Sequence, residues 1–454
     1  MKERLISSLS TSLTRKVSLV FILTFTVVAV IESTIIKFST YSDVVFPISS
    51  NLVIFTLLFF VFASMGVILI NSVKKNILNR IGKMAVNMSH FHFIIFAVQM
   101  LMVGIILTII LQMVFLNKYD LRLLQTSTIL THVSALVFLI TLVTLFARWF
   151  KSRVNSVTIL YLISFSLISV SIILSLIYLE YQFSFSNSLD RKPYPIYSYI
   201  TRQEIRPFSE SLGTVFDITY LLSFFAIWIA TAILLSEYRY KLGRIKYFTL
   251  MSIPMVYYLF TFQGYFGNVF SQLVLHYPVT FGVTYTLFFS ATKQIGALLF
   301  SLAFLAAASL VANERVRKSS LISAVGIAIL FGSVEITTLQ YRLYPPFGLV
   351  TEAFMPLGAY LLLVGLITSA TSVARDARLR KEFYKSAMSQ VSLLKTIGIT
   401  EMEKELLKDY KPVLARLDKL EETQYQPLEQ SDVKELIHDV LKELQSREKL
   451  RQKT

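Results

Sequence analysis

Apolar residues run along this chain in blocks longer than a soluble core uses. Stretches at 17–37, 50–71, 92–116, 125–148, 156–179, 213–236, 247–270, 286–312, 320–340 and 349–373 are each predominantly apolar. A helix rises 1.5 Å per residue, so about 20 such residues cross a hydrocarbon core roughly 30 Å thick. Inside a bilayer every backbone polar group must be satisfied internally, and blocks of this length do so as helices. The pattern predicts an all-α, polytopic transmembrane helical bundle of about ten spans. Residues 271–289 fit either an extension of the eighth span or a loop at the membrane surface.

Past residue 374 the pattern changes. Phe383, Ala387, Val391 and Leu394 recur at helical spacing up to Gly398, which reads as a helix end. Thr400 with Glu403 reads as a capping box that opens a second helix, whose apolar face includes Met402, Leu406, Tyr410 and Leu417. Val433, Leu436, Ile437, Val440 and Leu444 mark a third. The chain therefore divides into a membrane domain, 1–374, and a small amphipathic-helical tail, 375–454. Apolar stripes on short helices must be covered, so the tail packs on itself, on the membrane domain or on a second copy.

Composition agrees. Of 454 residues, 54% are hydrophobic and 16% charged, where soluble domains carry about 25% charged residues. The absence of cysteine excludes disulfides, thiolate metal sites and cysteine nucleophiles. The net charge of +16 concentrates in short connectors. One set of alternate gaps holds about eighteen Lys and Arg and the other about eight, a positive-inside bias that places both termini in the cytoplasm of a plasma-membrane protein. The tail is nearly neutral, with 17 basic and 15 acidic residues from Arg375 onward, so nucleic acid is not an expected partner. The basic front before residues 17–36 resembles a signal peptide. The apolar run is too long for one and lacks a small-x-small cleavage site, so it reads as a retained first span.

The candidate chemistry lies in the spans. Counting 1.5 Å per residue from the basic edge places Glu32, His132 and Glu335 at about 24–26 Å, and Asp217, Lys293 and Glu352 at about 30–35 Å. Six ionisable groups from six spans thus share the outer layer, with Arg342 and His276 just above. A charge at mid-membrane costs about 2.5–3.5 kcal/mol on insertion scales, which favours turning these groups inward. The functional expectation is a polar cavity open to the outside that binds an ion, a proton or a small solute, lined by Glu32, His132, Asp217, Lys293, Glu335, Arg342 and Glu352. The competing expectation is a set of structural ion pairs and snorkelling side chains. His132 with Glu32, Asp217 or Glu335 has ligand types that suit divalent metals, but no spacing within one helix supports a metal site and none is assigned.

Other features read as structure. Small residues at 296–312 allow close helix approach. Pro254 and Pro356 lie inside spans seven and ten, where proline can kink a helix. His90 and His92 read as interfacial anchors, and Gln99 and Gln112 as interhelical hydrogen-bonders. The aromatic-rich connector 180–212 reads either as a loop on the interface or as a lid. "LIHDVLKEL" places His438 on a polar helix face, and the tail has no Gly-rich nucleotide loop. No nucleophile elbow, zinc helix or cofactor fingerprint is present, so neither a catalytic residue nor a cofactor is assigned.

"SVARDARLRK" (372–381) and "SLLKTIGITEMEKE" (392–405) resemble a group of uncharacterised polytopic membrane proteins of ammonia-oxidising archaea. The resemblance implies a membrane-plus-tail design in an archaeal plasma membrane and no activity. The functional expectation is secondary transport or ion or small-solute binding through the outer polar layer. The alternative is a membrane sensor or complex subunit whose tail binds a cytoplasmic protein or a second copy.

Overall fold

The computed structural model describes residues 2–41, 48–76, 85–152, 154–184, 190–191, 207–236, 239–240, 243–259, 276–311, 313–334, 344–375, 397–398 and 400–402. Six long helices open the chain: α1 (Lys2–Tyr41), α2 (Ile48–Asn76), α3 (Ala85–Leu116), α4 (Leu121–Ser152), α5 (Ser156–Ser184) and α6 (Pro207–Leu235). Then come α7 (Arg244–Leu259), α8 (Pro278–Phe289), α9 (Thr292–Leu310), α10 (Glu314–Ser333), the short α11 (Leu349–Ala353) and α12 (Met355–Arg375). Among the described residues, nine helical segments are long and apolar enough to cross a membrane. The chain is an all-α, multi-pass membrane bundle. Two-residue strands β1 (Tyr119–Asp120) and β2 (Asp190–Arg191) pair antiparallel and tie the α3–α4 connector to the long connector after α5.

The helices form a centre and a wrapping. α10 and α12 are almost wholly buried, whereas α1 to α6 keep Leu23, Leu57, Phe60, Phe93 and Ile140 on their outer faces. Those exposed side chains make the lipid-facing surface. Lipid tails are as apolar as leucine, so small residues that allow close contact drive helix association in a membrane. A Cβ on Gly326 would sit 2.5 Å from the Leu362 backbone nitrogen, and one on Gly358 2.8 Å from that of Leu330. One on Gly365 would sit 2.7 Å from the Ser319 carbonyl. Ser319 and Ser369 hydroxyls meet at 2.7 Å across the same seam. The central pair therefore packs backbone against backbone.

Several expected boundaries move. The eighth span is not one helix: α8 ends at Phe289, Ser290 and Ala291 form a turn, and α9 starts at Thr292. Span seven is helical through Leu259, and residues 260–275 lie outside the described set. Span nine starts at Glu314, capped by the Asn313 side chain, and ends at Ser333. Val334 leaves helical geometry with ψ 77°, and residues 335–343 lie outside the described set. Span ten is broken at Phe354 into α11 and α12. Pro356 then falls in the first turn of α12, where a missing N–H costs no helical hydrogen bond, while Pro254 stays inside α7.

The turn before α11 is buried. Gly348 takes φ 97°, a left-handed conformation that suits glycine. Its carbonyl accepts the Glu352 N–H at 2.9 Å. Phe347 meets Phe55 of α2 edge-on, and Phe354 sits between Phe25 of α1 and Phe62 of α2. Tyr344 stacks on Tyr119 and donates to the Met113 carbonyl at 3.2 Å. Burial raises the Tyr344 phenol above its ordinary pKa, which keeps it a donor. These contacts hold α11 among α1, α2 and α4.

At the opposite end of the bundle, the beginnings of α1 and α10 and the end of α2 surround a small groove lined by Val17, Ser72, Val73 and Lys318. Lys74, Lys75, Arg148, Lys151 and Arg315 all belong to helix ends at this basic side. The tail returns here. Ile397 and Gly398, and Thr400, Glu401 and Met402, are helical and buried, with residue 399 outside the described set. A Cβ on Gly398 would sit 2.3 Å from a Val373 methyl of α12, so glycine allows the close approach. Glu401 accepts from Trp149 Nε1 at 3.3 Å. Residue 403 and everything beyond it, including His438, lie outside the described set.

Candidate functional site

The short helix α11 carries adjacent polar residues into the bundle, and partners from α1 and α4 meet them. On the α1 side, Glu32 Oε2 accepts the Thr351 backbone N–H at 2.7 Å and also the Thr351 hydroxyl. Glu32 is fully buried. On the α4 side, His132 Nδ1 lies 2.9 Å from Glu352 Oε1 and 2.8 Å from the Thr128 carbonyl. One ring N–H cannot be well directed at both. It points at the Thr128 carbonyl, one turn back on its own helix, and neither Glu352 oxygen receives a directed hydrogen bond among the described residues. Glu352 is 2% exposed and His132 3%.

Burying an ionised carboxylate costs several kcal/mol unless it is paired and hydrogen-bonded. Glu32 has the donors of Thr351. Among the described residues, Glu352 has the His132 imidazole beside it. The described residues contain no cluster of three or more His, Asp or Glu arranged to hold a metal ion.

A second group forms across α6 and α9. The Lys293 ammonium lies 4.8 Å from the Tyr220 ring centroid, donates to the Val334 carbonyl at 3.3 Å, and interacts with the Asp217 charge. Asp217 also acts electrostatically on Tyr258 of α7. The Tyr220 hydroxyl donates to the Phe331 carbonyl at 3.0 Å. Beside Lys293, Gln294 is buried with neither amide atom hydrogen-bonded.

Of the seven residues assigned from the sequence to one cavity, Glu32, His132 and Glu352 thus come together around α11. Asp217 and Lys293 come together around α9. Glu335 and Arg342 lie outside the described residues.

Sequence reasoning missed Thr351 and Thr128, whose roles are set by backbone geometry. On α3, His92, read as an interfacial anchor, has its Nδ1 3.0 Å from the Tyr360 hydroxyl of α12. Gln99, taken as an interhelical hydrogen-bonder, is buried with both amide atoms unpaired, while Gln112 Oε1 accepts the Asp120 N–H at 2.9 Å within the α3–α4 connector. A buried tyrosine in a leucine-rich span was the one available signal for Tyr360. Comparison of the chain with known protein families, with characterised proteins and with solved structures gave no match.

Proposed function

We propose that the protein is a proton-coupled secondary transporter or permease of the plasma membrane, in which Glu352 is the group that gains and loses the proton. The observation that carries this reading is the buried Glu352 carboxylate with no directed hydrogen bond, 2.9 Å from the His132 ring. Ionised, it faces the His132 ring. Protonated, it is neutral and free to donate to that region. Binding one proton changes the local charge by a full unit inside an apolar bundle, enough to bias a conformational equilibrium. Glu32 and Thr351 hold α11 to α1, so a charge change at Glu352 reaches the first span through one short helix. In this reading both termini are cytoplasmic, and the basic end of the bundle faces the cytoplasm.

The test is infrared difference titration of purified protein in lipid, together with flux driven by a pH gradient in proteoliposomes over a panel of small solutes. Wild type is expected to show a titrating carboxylic-acid C=O band that Glu352→Gln lacks, with gradient-driven flux down at least tenfold. A folded Glu352→Gln protein with the wild-type band and flux overturns the reading.

A second reading, a sensor or complex subunit, draws on the tail. Glu401 and Gly398 seat residues 397–402 of the tail against Trp149 and Val373, and in this reading the sequence beyond them binds a cytoplasmic partner. Affinity capture with the full-length protein in mild detergent tests it. A specific partner lost on deletion of residues 403–454 supports it, and a monomer with no such partner counts against it.

A further inference from the structure

Glu352 needs a route to water, and the structure places polar groups along one seam that leads away from it. That seam lies between α3, α4 and α12. Its upper level is set by Glu352 and His132 and by Thr131, whose hydroxyl donates to the Ser127 carbonyl at 2.8 Å and lies 3.4 Å from Met102 Sδ of α3. Its lower level is set by Tyr360 and His92, 3.0 Å apart. Met102 and His92 are ten residues apart along α3, about 15 Å of rise. Phe138 of α4 closes the seam beside Tyr360, with ring centroids 5.6 Å apart.

Gln99 lies between those levels along α3, with its amide turned toward Gly66 of α2. It is seven residues from His92 and so lies on the same face of α3. It is 1% exposed, and neither its Nε2 nor its Oε1 has a hydrogen-bond partner. The neighbouring helix makes room for it, since a Cβ on Gly66 of α2 would sit 2.8 Å from Nε2. A buried amide with two unpaired polar atoms costs free energy that bound water would recover. His92 is only half-buried and has the Lys74 charge nearby, so it stands at the basic mouth of the seam.

We propose that His92, Tyr360 and Gln99 form the proton pathway between Glu352 and the basic face of the bundle, a proposal that rests on the assignment of Glu352 as the proton-binding group. His92 takes a proton from water at Nε2 and passes its Nδ1 proton to the Tyr360 oxygen. Tyr360 releases its own hydroxyl proton inward to water held at Gln99. That chain delivers one proton to Glu352. One proton leaves bulk water and one is bound by the carboxylate, so Tyr360 and the water chain end as they began. His92 regains its starting tautomer by exchange with bulk water. The titratable and charged neighbours of the path are His132 and Glu32 at Glu352, and Lys74 at His92. Glu352, His132 and Glu32 set how tightly the proton is held; His92 and Tyr360 set how fast it arrives.

The test uses full-length protein reconstituted in vesicles of uniform orientation, with a rapid pH jump on one side. The readout is the rate of the Glu352 carboxylic-acid infrared band. Wild type is expected to respond to a jump on the face bearing Lys74. Tyr360→Phe keeps the ring but removes the relay oxygen, and is expected to slow the response at least tenfold with an unchanged equilibrium midpoint. His92→Asn and Gln99→Leu are expected to slow it in the same way. Wild-type rates in all three variants, or a wild-type response confined to the opposite face, overturn the pathway and leave Glu352 as the proton-binding group. A wild type with no band lost in Glu352→Gln overturns both.

Discussion

Thr351 offers its backbone N–H and its hydroxyl to the same oxygen of Glu32, a buried link between the first span and α11. A hydrogen bond to a charged group contributes about 1.5–3 kcal/mol. Thr351→Val keeps the shape and the N–H but loses the hydroxyl. It is expected to lower stability by about 1–3 kcal/mol, read as a drop in thermal unfolding temperature in detergent. Thr351→Ser, which retains the donor, is expected to stay within about 1 kcal/mol of wild type.

The central seam sets a second expectation. Gly326, Gly358 and Gly365 lie where a Cβ would meet backbone atoms at 2.5–2.8 Å, and backbone cannot rotate aside. Gly326→Ala is expected to destabilise by about 1–3 kcal/mol, and larger side chains by more. Gly104 has open space around its Cβ position. There Gly104→Ala is expected to be neutral or stabilising by up to about 1 kcal/mol. Parallel melts of the two alanine variants check the contrast.

Tail docking can be read through tryptophan. The chain has 2 tryptophans, and Trp228, bonded to the Met251 carbonyl at 2.7 Å, can be replaced by Phe to leave Trp149 as the sole reporter. Trp149 is fully buried beside Phe146 and bonds Glu401. Glu401→Ala in that background is expected to shift Trp149 emission to the red and speed proteolysis near residue 400. An unchanged spectrum and cleavage rate would show that Glu401 does not hold the tail.

The second polar group is expected to behave as a coupled pair. Lys293→Met leaves Asp217 without its cation, and Asp217→Asn leaves Lys293 without its anion. Each single change is expected to destabilise, and the double change to recover about 0.5–3 kcal/mol of the summed loss. Additive losses in a double-mutant cycle would separate the two charges.

Apolar block length was readable in one dimension, because lipid imposes the same demand on every span: about 20 apolar residues with an internally bonded backbone. That is why the all-helical, multi-pass bundle follows from the order of residues alone. The same demand says nothing about which span is central. Glu352 looked like one more residue of a continuous tenth span. The break at Phe354, the left-handed Gly348 and the aromatic clamp of Phe25, Phe62 and Phe347 instead set α11 apart and aim it at α1 and α4. Depth placed Glu32, His132, Asp217, Lys293 and Glu352 in one layer, since depth is a count along each helix. Azimuth decided their partners, and azimuth depends on how helices rotate to pack. Gly326, Gly358 and Gly365 let α10 and α12 fill the centre, which leaves Glu32, His132 and Glu352 on one flank and Asp217 and Lys293 on another. His92 and Tyr360 lie 268 positions apart, and no periodicity connects residues on different helices. Their meeting, like the isolation of Gln99, is a product of tertiary packing, where side chains find neighbours by rotation and contact rather than by spacing.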